Sequence, residues 1–291
     1  MSNNINYYRI ADIPFSVETP YRYEEKAPYD LFSAEECDVD FRYNFSEVET
    51  LTEPNGVLLY EDPYYRAYDC GGKIHRYVGF YSKGRELDRP IALVVYGEAD
   101  RAASVMIPQD RGVPKNSAFI YKSLCIEHLI CLMNGIMLHS SFIETPRGAI
   151  LFTAPSGTGK STQAELWRRY RGASVINGDC SVIRRGADGF AAHGVPFSGT
   201  SGICHNKSVK LRAIVYLTQA PQNKIERVRG AAAFAYMMEG IKLNIWSKGD
   251  ASRATNTVTD ILSEIPLFKL DCLPDESAVC CLESALENTE C

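Results

Sequence analysis

No window of the chain approaches the roughly 18 uninterrupted apolar residues that a membrane-spanning helix needs. Nor is there a sustained block of Lys or Arg. The 31 basic residues are dispersed among 36 acidic ones for a net charge of −5, which leaves no electrostatic footprint for nucleic acid or an anionic membrane. The CxxC pair is missing too. The ten cysteines, at positions 37, 70, 125, 131, 180, 204, 272, 280, 281 and 291, lack the paired spacing of zinc sites, and several lie in apolar runs where a thiol serves as a small hydrophobe. Cys280 and Cys281 are adjacent, too cramped for an ordinary disulfide, and one of them is expected to face a helix core. Met1 to Phe15 has neither the basic nor the apolar stretch of a secretory signal, so a cytoplasmic protein is expected. No repeat or low-complexity segment is visible. What is present, 45% hydrophobic and 23% charged residues, is the balance of a folded globular protein with chain enough for two modest domains or one large one.

The first third reads as β-rich. Val39, Phe41, Tyr43 and Phe45 alternate with polar residues at period two, the pattern of a half-buried antiparallel strand. Short β-branched or aromatic runs follow at Val57 to Tyr60, Tyr64 to Tyr68, Ile74 to Tyr81 and Ile91 to Tyr96. They are separated by turn chemistry at Pro54-Asn55-Gly56, Asp62-Pro63, Cys70-Gly71-Gly72 and Lys83-Gly84, with Gly71-Gly72 a hairpin candidate. After Pro114 the period changes to that of a helix capped by Asn116 or Ser117, carrying Phe119 to Leu132 and stopping at Asn134-Gly135. The expected domains are therefore 1–113, β-rich and mostly antiparallel, and 114–291.

In the second part strands and helices alternate. Met137 to Ile143 and Ala149 to Thr153 read as strands, Lys160 to Arg171 as a helix closed by Gly172, and Val175-Ile176 as the next strand. Ser181 to Arg184 and Phe190 to His193 flank Gly186 to Gly189 as a hairpin, and Leu211 to Leu217 is a strongly apolar strand. Helices are expected over Gly230 to Glu239 and Ala251 to Ile261, a strand over Leu267 to Leu270, and a final helix after Pro274-Asp275-Glu276.

Between the second of those strands and its helix stands Ala154-Pro155-Ser156-Gly157-Thr158-Gly159-Lys160-Ser161, which fits the phosphate-binding loop (Walker A) with Ala in place of the first Gly. Gly157 and Gly159 let the backbone curl so that N–H groups point at phosphate oxygens, and the helix dipole favours the charge. A plain strand-to-helix turn has no use for Lys-Ser at the helix start. Lys160 is expected to reach the β- and γ-phosphates, and Ser161, with Thr162 a second candidate, to offer a hydroxyl to Mg²⁺. Ala154 is harmless unless its position needs positive φ. An acidic group near the metal is also required. Asp179, ending Val175-Ile176-Asn177-Gly178-Asp179 and 19 residues beyond Lys160, is the candidate, with a plain turn Asp as the alternative. His139, 21 residues before Lys160, lies on a strand expected to run beside the loop strand, and either a functional or a core histidine fits there. His75 and His128 read as structural. Pro196 to Gly202 is a small, polar segment that suits a substrate lid or a solvated connector, and Arg184 and Arg185 either pair an anionic substrate or form a charged hairpin face.

The order Leu138-His139-Ser140-Ser141, then Ala154 to Ser161, then Val175 to Asp179 resembles the HPr kinase/phosphorylase-related proteins over roughly residues 118 to 290. It is most similar to HPr-kinase-like proteins found with peptide-modifying enzymes in Gram-positive bacteria. The resemblance implies a phosphoenolpyruvate-carboxykinase-like P-loop domain. It aligns His139 with an active-site His, Lys160 and Ser161 with the phosphate- and Mg-binding pair, and Asp179 with the second of an Asp-Asp pair. Gly178 stands where kinases of the HPr type have the first Asp, and their C-terminal signature is absent, so this is not a true HPr kinase.

The expected function is an ATP/Mg²⁺-dependent kinase acting on a hydroxyl, of a Ser in a peptide or protein or of a small metabolite. Lys160 would stabilise the transferring group, Ser161 and Asp179 would fix the metal, and His139 or Asp179 would take the proton. The cofactor-binding set is Pro155, Ser156, Gly157, Thr158, Gly159, Lys160, Ser161 and Thr162. The alternatives are a nucleotide-binding accessory protein that has lost phosphotransfer, and carboxykinase chemistry, for which extra metal ligands and an Arg cluster are not evident. Expected partners are nucleotide and acceptor, without nucleic acid or membrane, and with homo-oligomerisation left open.

Overall fold

The computed structural model describes residues 3–79 and 90–288 and divides into two compact units, Met1–Leu132 with Asn244–Ala251, and Met133–Leu243 with Ser252–Cys291. It is a mixed α/β chain with two large sheets and six α-helices among the described residues. No described helix is long and apolar enough to cross a membrane.

The first unit carries β1 (Asn4–Ile10), β2 (Ile13–Thr19), β3 (Ser33–Ala34), β4 (Phe41–Val48), β5 (Val57–Glu61), β6 (Tyr65–Asp69), β7 (Ile74–Gly79), β8 (Pro90–Tyr96) and β9 (Ala102–Pro108). They form one sheet in the order β3-β1-β2-β4-β9-β8-β7-β6-β5. All pairings are antiparallel except β2 with β4 and β4 with β9. The alternation read at Phe41, Tyr43 and Phe45 is real: all three are buried and their neighbours Arg42, Asn44 and Ser46 are exposed, although the strand starts at Phe41, after Val39, and is not antiparallel as expected, since it pairs parallel with both β2 and β9. The β1, β2 and β9 strands were not anticipated. The β2 strand is buried almost throughout, so it lacks the alternation that marks a strand with one wet face. The end of the expected Ile74 to Tyr81 strand and the Lys83-Gly84 turn lie outside the described residues.

The helix expected after Pro114 is two helices, α1 (Ser117–Ser123) and α2 (Ile126–Leu132). Asn116 caps the first by accepting from the Phe119 N–H at 3.0 Å, and Leu124 turns extended (ψ 147°), which ends it. Leu124 and Cys125 are both buried, so the break turns apolar side chains inward where a continuous helix would expose part of its surface. The sequence placed a boundary before these helices; the compact units divide after them, because Tyr121 packs against the rings of Tyr8, Phe15 and Tyr29. Asp250, wholly buried, ties residues 244–251 to the same unit. It is 2.9 Å from the Nδ1 of His128 and accepts from Asn244 at 2.9 Å. A carboxylate is buried at tolerable cost only when so partnered.

The second unit contains β10 (Gly135–Thr145), β11 (Gly148–Thr153), α3 (Lys160–Arg171), β12 (Ser174–Asn177), β13 (Cys180–Gly186), β14 (Gly189–Gly194), β15 (Ser208–Gln219), β16 (Lys224–Val228), α4 (Gly230–Gly240), β17 (Leu267–Cys272) and α6 (Glu276–Glu287); α5 (Lys248–Glu264) begins in the first unit's segment and continues into the second. Two long strands serve two sheet regions each. The first half of β10 pairs with β13, and from Ser140 onward the strand pairs with β11 and β12. The start of β15 pairs with β14, and its later part lies parallel to both β11 and β17. The buried stretches Ala149 to Thr153 of β11 and Ala213 to Leu217 of β15 read as apolar runs for this reason. The polar, half-exposed β16 is an edge strand on β17 and gave no apolar signal in the sequence. Asp275 caps α6 by accepting from the Ser277 N–H, and Cys281, not Cys280, packs against the core. No described cysteine is in a disulfide.

Phe152 sits at the centre of the core shared by β11, β15, β17, α3 and α6 and is fully buried. Phe152→Ala should cost about 3–5 kcal/mol, read as a lowered urea midpoint followed by circular dichroism; a loss below about 1 kcal/mol would contradict this packing.

Candidate functional site

His139 is the last residue of β10 paired to β13, opposite Cys180, and Ser140 is the first paired to β11, opposite Thr153. The strand changes partners at that point, and the sequence on either side is built to hold the change. The Ser140 N–H donates to the carbonyl of Asp179 at 3.0 Å and the Ser141 hydroxyl to the carbonyl of Gly178 at 3.1 Å. Asn177, fully buried, accepts from the N–H groups of Asp179 (2.9 Å) and Cys180 (3.0 Å) through its Oδ1 and donates to the Val195 carbonyl. Thr153 at the end of β11 donates to the His139 carbonyl at 3.0 Å. The His-Ser-Ser and Asn-Gly-Asp segments are thus one hydrogen-bonded unit, in which Ser140 and Asn177 fix both the N–H and the carbonyl of Asp179.

Beside this unit a cleft of about 300 Å³ opens, lined by His139, Gly178 and Asp179, by the loop after β11 together with the start of α3, and by Thr200 and Ser201. The loop brings in Ser156, Gly157, Gly159, Lys160, Ser161 and Thr162. Gly157 (φ 81°) and Gly159 (φ 111°) take left-handed angles that an L side chain rarely adopts, whereas Ala154 is absent from the described non-glycine residues with positive φ. The alanine in place of the first glycine is therefore unstrained. Pro155 lies in the same loop and accepts at its carbonyl from Thr158 Oγ1 and Lys160 Nζ, while Thr158 faces a neighbouring cleft. Lys160 is 7% exposed and donates to the carbonyls of Ala154 (3.0 Å) and Pro155 (3.2 Å). Burial lowers its pKa, and the charge of Asp179 works the other way.

His139 Nε2 stands 3.4 Å from Asp179 Oδ1, and the imidazole is the main reason the carboxyl titrates below its ordinary value. Lys242 contributes too, its Nζ 3.9 Å from Oδ2. Sequence reasoning missed Lys242. It follows α4 and is delivered by its own N–H donating to the Met137 carbonyl at 2.9 Å, a contact between segments more than 100 residues apart that no local pattern announces. All the expected catalytic and metal-binding residues, His139, Lys160, Ser161 and Asp179, therefore line one cleft. Arg184 and Arg185 do not. Arg185 pairs with Glu264 and covers the Phe190 ring, and Arg184 donates to the Met133 carbonyl. His128 is buried in the first unit against Tyr96 and Asp250.

Gly178 has a steric reason to be glycine. A Cβ there would meet the Ser201 hydroxyl and lie 2.5 Å from the Ser201 Cβ. Gly199, in the same short 3-10 turn, would put a Cβ 2.7 Å from Asp179 Cγ. The segment Pro196 to Gly202 is thus seated directly on the Gly178-Asp179 peptide, and the strand-like run behind it is tied to β12 by the His205 N–H to the Ile176 carbonyl.

A family model described as SynChlorMet cassette protein ScmC matches residues 119–272, which contain this whole site. The match spans more than half of the chain, and the chain belongs to that family. No curated protein matches it.

Two measurements test the site as described. In a carboxyl-resolved NMR titration Asp179 should titrate below the roughly 3.9 of an unperturbed Asp and move upward in His139→Ala; an unshifted or raised value would contradict the pairing. Gly178→Asp should lose about 1–3 kcal/mol through overpacking against Ser201, and adding Ser201→Gly should recover part of that loss. Additive losses in the double-mutant cycle would show that the two positions do not touch.

Proposed function

We propose that the protein is an ATP/Mg²⁺-dependent phosphotransferase with a phosphoenolpyruvate-carboxykinase-like P-loop domain, related to the HPr kinases without being one, and that it phosphorylates a hydroxyl group. The observation that carries this reading is the convergence of His139, Lys160, Ser161 and Asp179 on one cleft at the start of α3, beside a loop whose two glycines hold positive φ. Backbone N–H groups at a helix start favour a phosphate, and Lys160, kept by loop carbonyls at the cleft wall, supplies a fixed positive charge.

The donor set fits magnesium. Ser161 and Asp179 offer hard oxygen atoms, and the described residues hold no cluster of three or more His, Cys, Asp or Glu. Mg²⁺ suits such a site because it keeps several waters and phosphate oxygens, using only one or two protein carboxylates. When bound it would neutralise charge developing on the transferring group. Asp179 is ionised at neutral pH, and His139, 3.4 Å away, can share or relay a proton. As the acceptor oxygen forms its bond to the γ-phosphorus, the bond to the β-γ bridging oxygen breaks, ADP leaves, and the acceptor proton passes to Asp179 or His139. Lys160 stabilises the charge on the moving group throughout.

A second reading, nucleotide binding without transfer in support of peptide modification, is favoured by the Ser201 contact. The space a second carboxylate at 178 would need is filled. Thermal unfolding with MgATP, MgADP and pyrophosphate decides the first question. Nucleotide at 100 times its dissociation constant should stabilise the wild type by about 2.7 kcal/mol, and Lys160→Met should lose most of that shift. No shift with any of these ligands would overturn both readings. Binding without ADP formation against peptide and small hydroxyl acceptors would select the second.

A further inference from the structure

The cleft that gathers His139, Lys160, Ser161 and Asp179 also contains two hydroxyl groups that the chemistry above does not use, those of Thr200 and Ser201. Both residues are exposed and belong to the short 3-10 turn Gly199–Ser201, which Gly202 closes at φ 67°. The turn is fixed to the segment that carries the carboxylate. Gly199 lies so close to Asp179 that an added Cβ would stand 2.7 Å from its Cγ. Beyond the turn, the Gly178 N–H donates to the Ile203 carbonyl at 3.3 Å and the His205 N–H to the Ile176 carbonyl at 3.0 Å. Thr200, the residue after Gly199, is thereby kept in the cleft next to a group able to take a hydroxyl proton.

The two hydroxyls are not equivalent. Ser201 Oγ donates to the Ser198 carbonyl at 2.6 Å and accepts from the Ile203 N–H at 3.2 Å, so it is engaged in shaping the turn. Thr200 Oγ1 has no hydrogen-bond partner among the described residues, which leaves both its proton and its lone pairs available. The other hydroxyls of the cleft, on Ser156, Ser161 and Thr162, belong to the loop and helix start that would hold the phosphates, with Ser161 taken up by the metal. A hydroxyl tethered inside the cavity that receives the phosphoryl group has already lost the translational freedom that an outside acceptor must surrender, and such tethering is among the largest accelerations available to a bimolecular step.

We propose that Thr200 is a self-phosphorylation site: with MgATP bound and no outside acceptor, its hydroxyl takes the γ-phosphoryl group within its own chain. Thr200 Oγ1 forms the bond to the γ-phosphorus, the bond to the β-γ bridging oxygen breaks, ADP leaves, and the hydroxyl proton passes to the Asp179 carboxylate. The product carries a phosphate on the turn seated against Asp179, a modification that adds negative charge to the cleft. The inference rests on the phosphotransferase reading above, and the test separates the two. The full chain would be incubated with MgATP alone, ADP formation followed, and the phosphate located by fragmentation mass spectrometry after digestion, a step that needs no variant to fold. One phosphoryl group on Thr200 is expected, at a rate constant independent of protein concentration. Thr200→Val should stay unlabelled, Thr200→Ser should be labelled, and Lys160→Met should stay unlabelled even when mixed with wild type. Phosphate on a different residue overturns the assignment of Thr200, and label on Lys160→Met in the mixture overturns transfer within one chain. ADP formation with an unmodified chain overturns the proposal while leaving phosphotransfer standing. A thermal shift with MgATP but neither ADP nor phosphate overturns it and selects nucleotide binding without transfer, whereas no shift overturns the phosphotransferase reading and the site together.

Discussion

The arrangement of the second unit depends on how one strand is held as it changes partners. β10 gives its first half to β13 and its second to β11 and β12, and at the junction the Ser140 N–H and the Ser141 hydroxyl bind the carbonyls of Asp179 and Gly178. A strand leaving one ladder for another exposes backbone groups that water cannot reach in a core, and each must find a partner. Here those partners belong to the turn that carries the carboxylate. Sheet continuity and site geometry are satisfied by the same bonds, so the position of Asp179 cannot drift without breaking buried hydrogen bonds.

The rest of the site is fastened to this junction. Thr153 connects the end of β11 to the His139 carbonyl, and the loop that follows starts from there. Lys160 spans the loop it ends, reaching carbonyls five and six residues behind it, so an ammonium ion that would otherwise be expensive to bury is hydrogen-bonded. The segment Pro196 to Gly202 closes the arrangement from the other side, packed so closely that glycine is required at 178 and at 199. The carboxylate is thus single, positioned, and flanked by His139 and Lys242. In the first unit the same rule governs a different purpose. Arg76 is buried with Glu127 beneath the Tyr65 ring, and Asp250, held by Asn244, pairs with His128 and so ties residues 244–251 to a unit whose other residues all precede position 133.

Much of the second unit was legible in the sequence because its signals are local. Gly159 before Lys160 and Gly172 after Arg171 bound α3 at the expected residues, and Asp275 caps the last helix as its place after Pro274 suggested. The Gly186 to Gly189 turn joins the predicted hairpin. The candidate residues His139, Lys160, Ser161 and Asp179 could be named from residue type and spacing because a strand, a tight loop and a helix leave few places for such side chains to go. The single helix after Pro114 failed for a related reason: its apolar spacing is continuous through Leu124, and only the packing of both halves decides that the backbone turns extended there.

What the sequence determined by itself was most of the second unit's strands and helices, the place of the glycine-bearing loop, and which few polar residues are chemically able to act together. Tertiary structure alone decided the rest. It brought Lys242 to Asp179, set Ser201 against Gly178, gave residues 244–251 to the first unit, and opened the cleft between Gln219-Ala220 and Cys272-Pro274. Each of these joins separate segments of the chain, and periodicity, which reports only which face of a segment is buried, carries no information about which other segment will cover it.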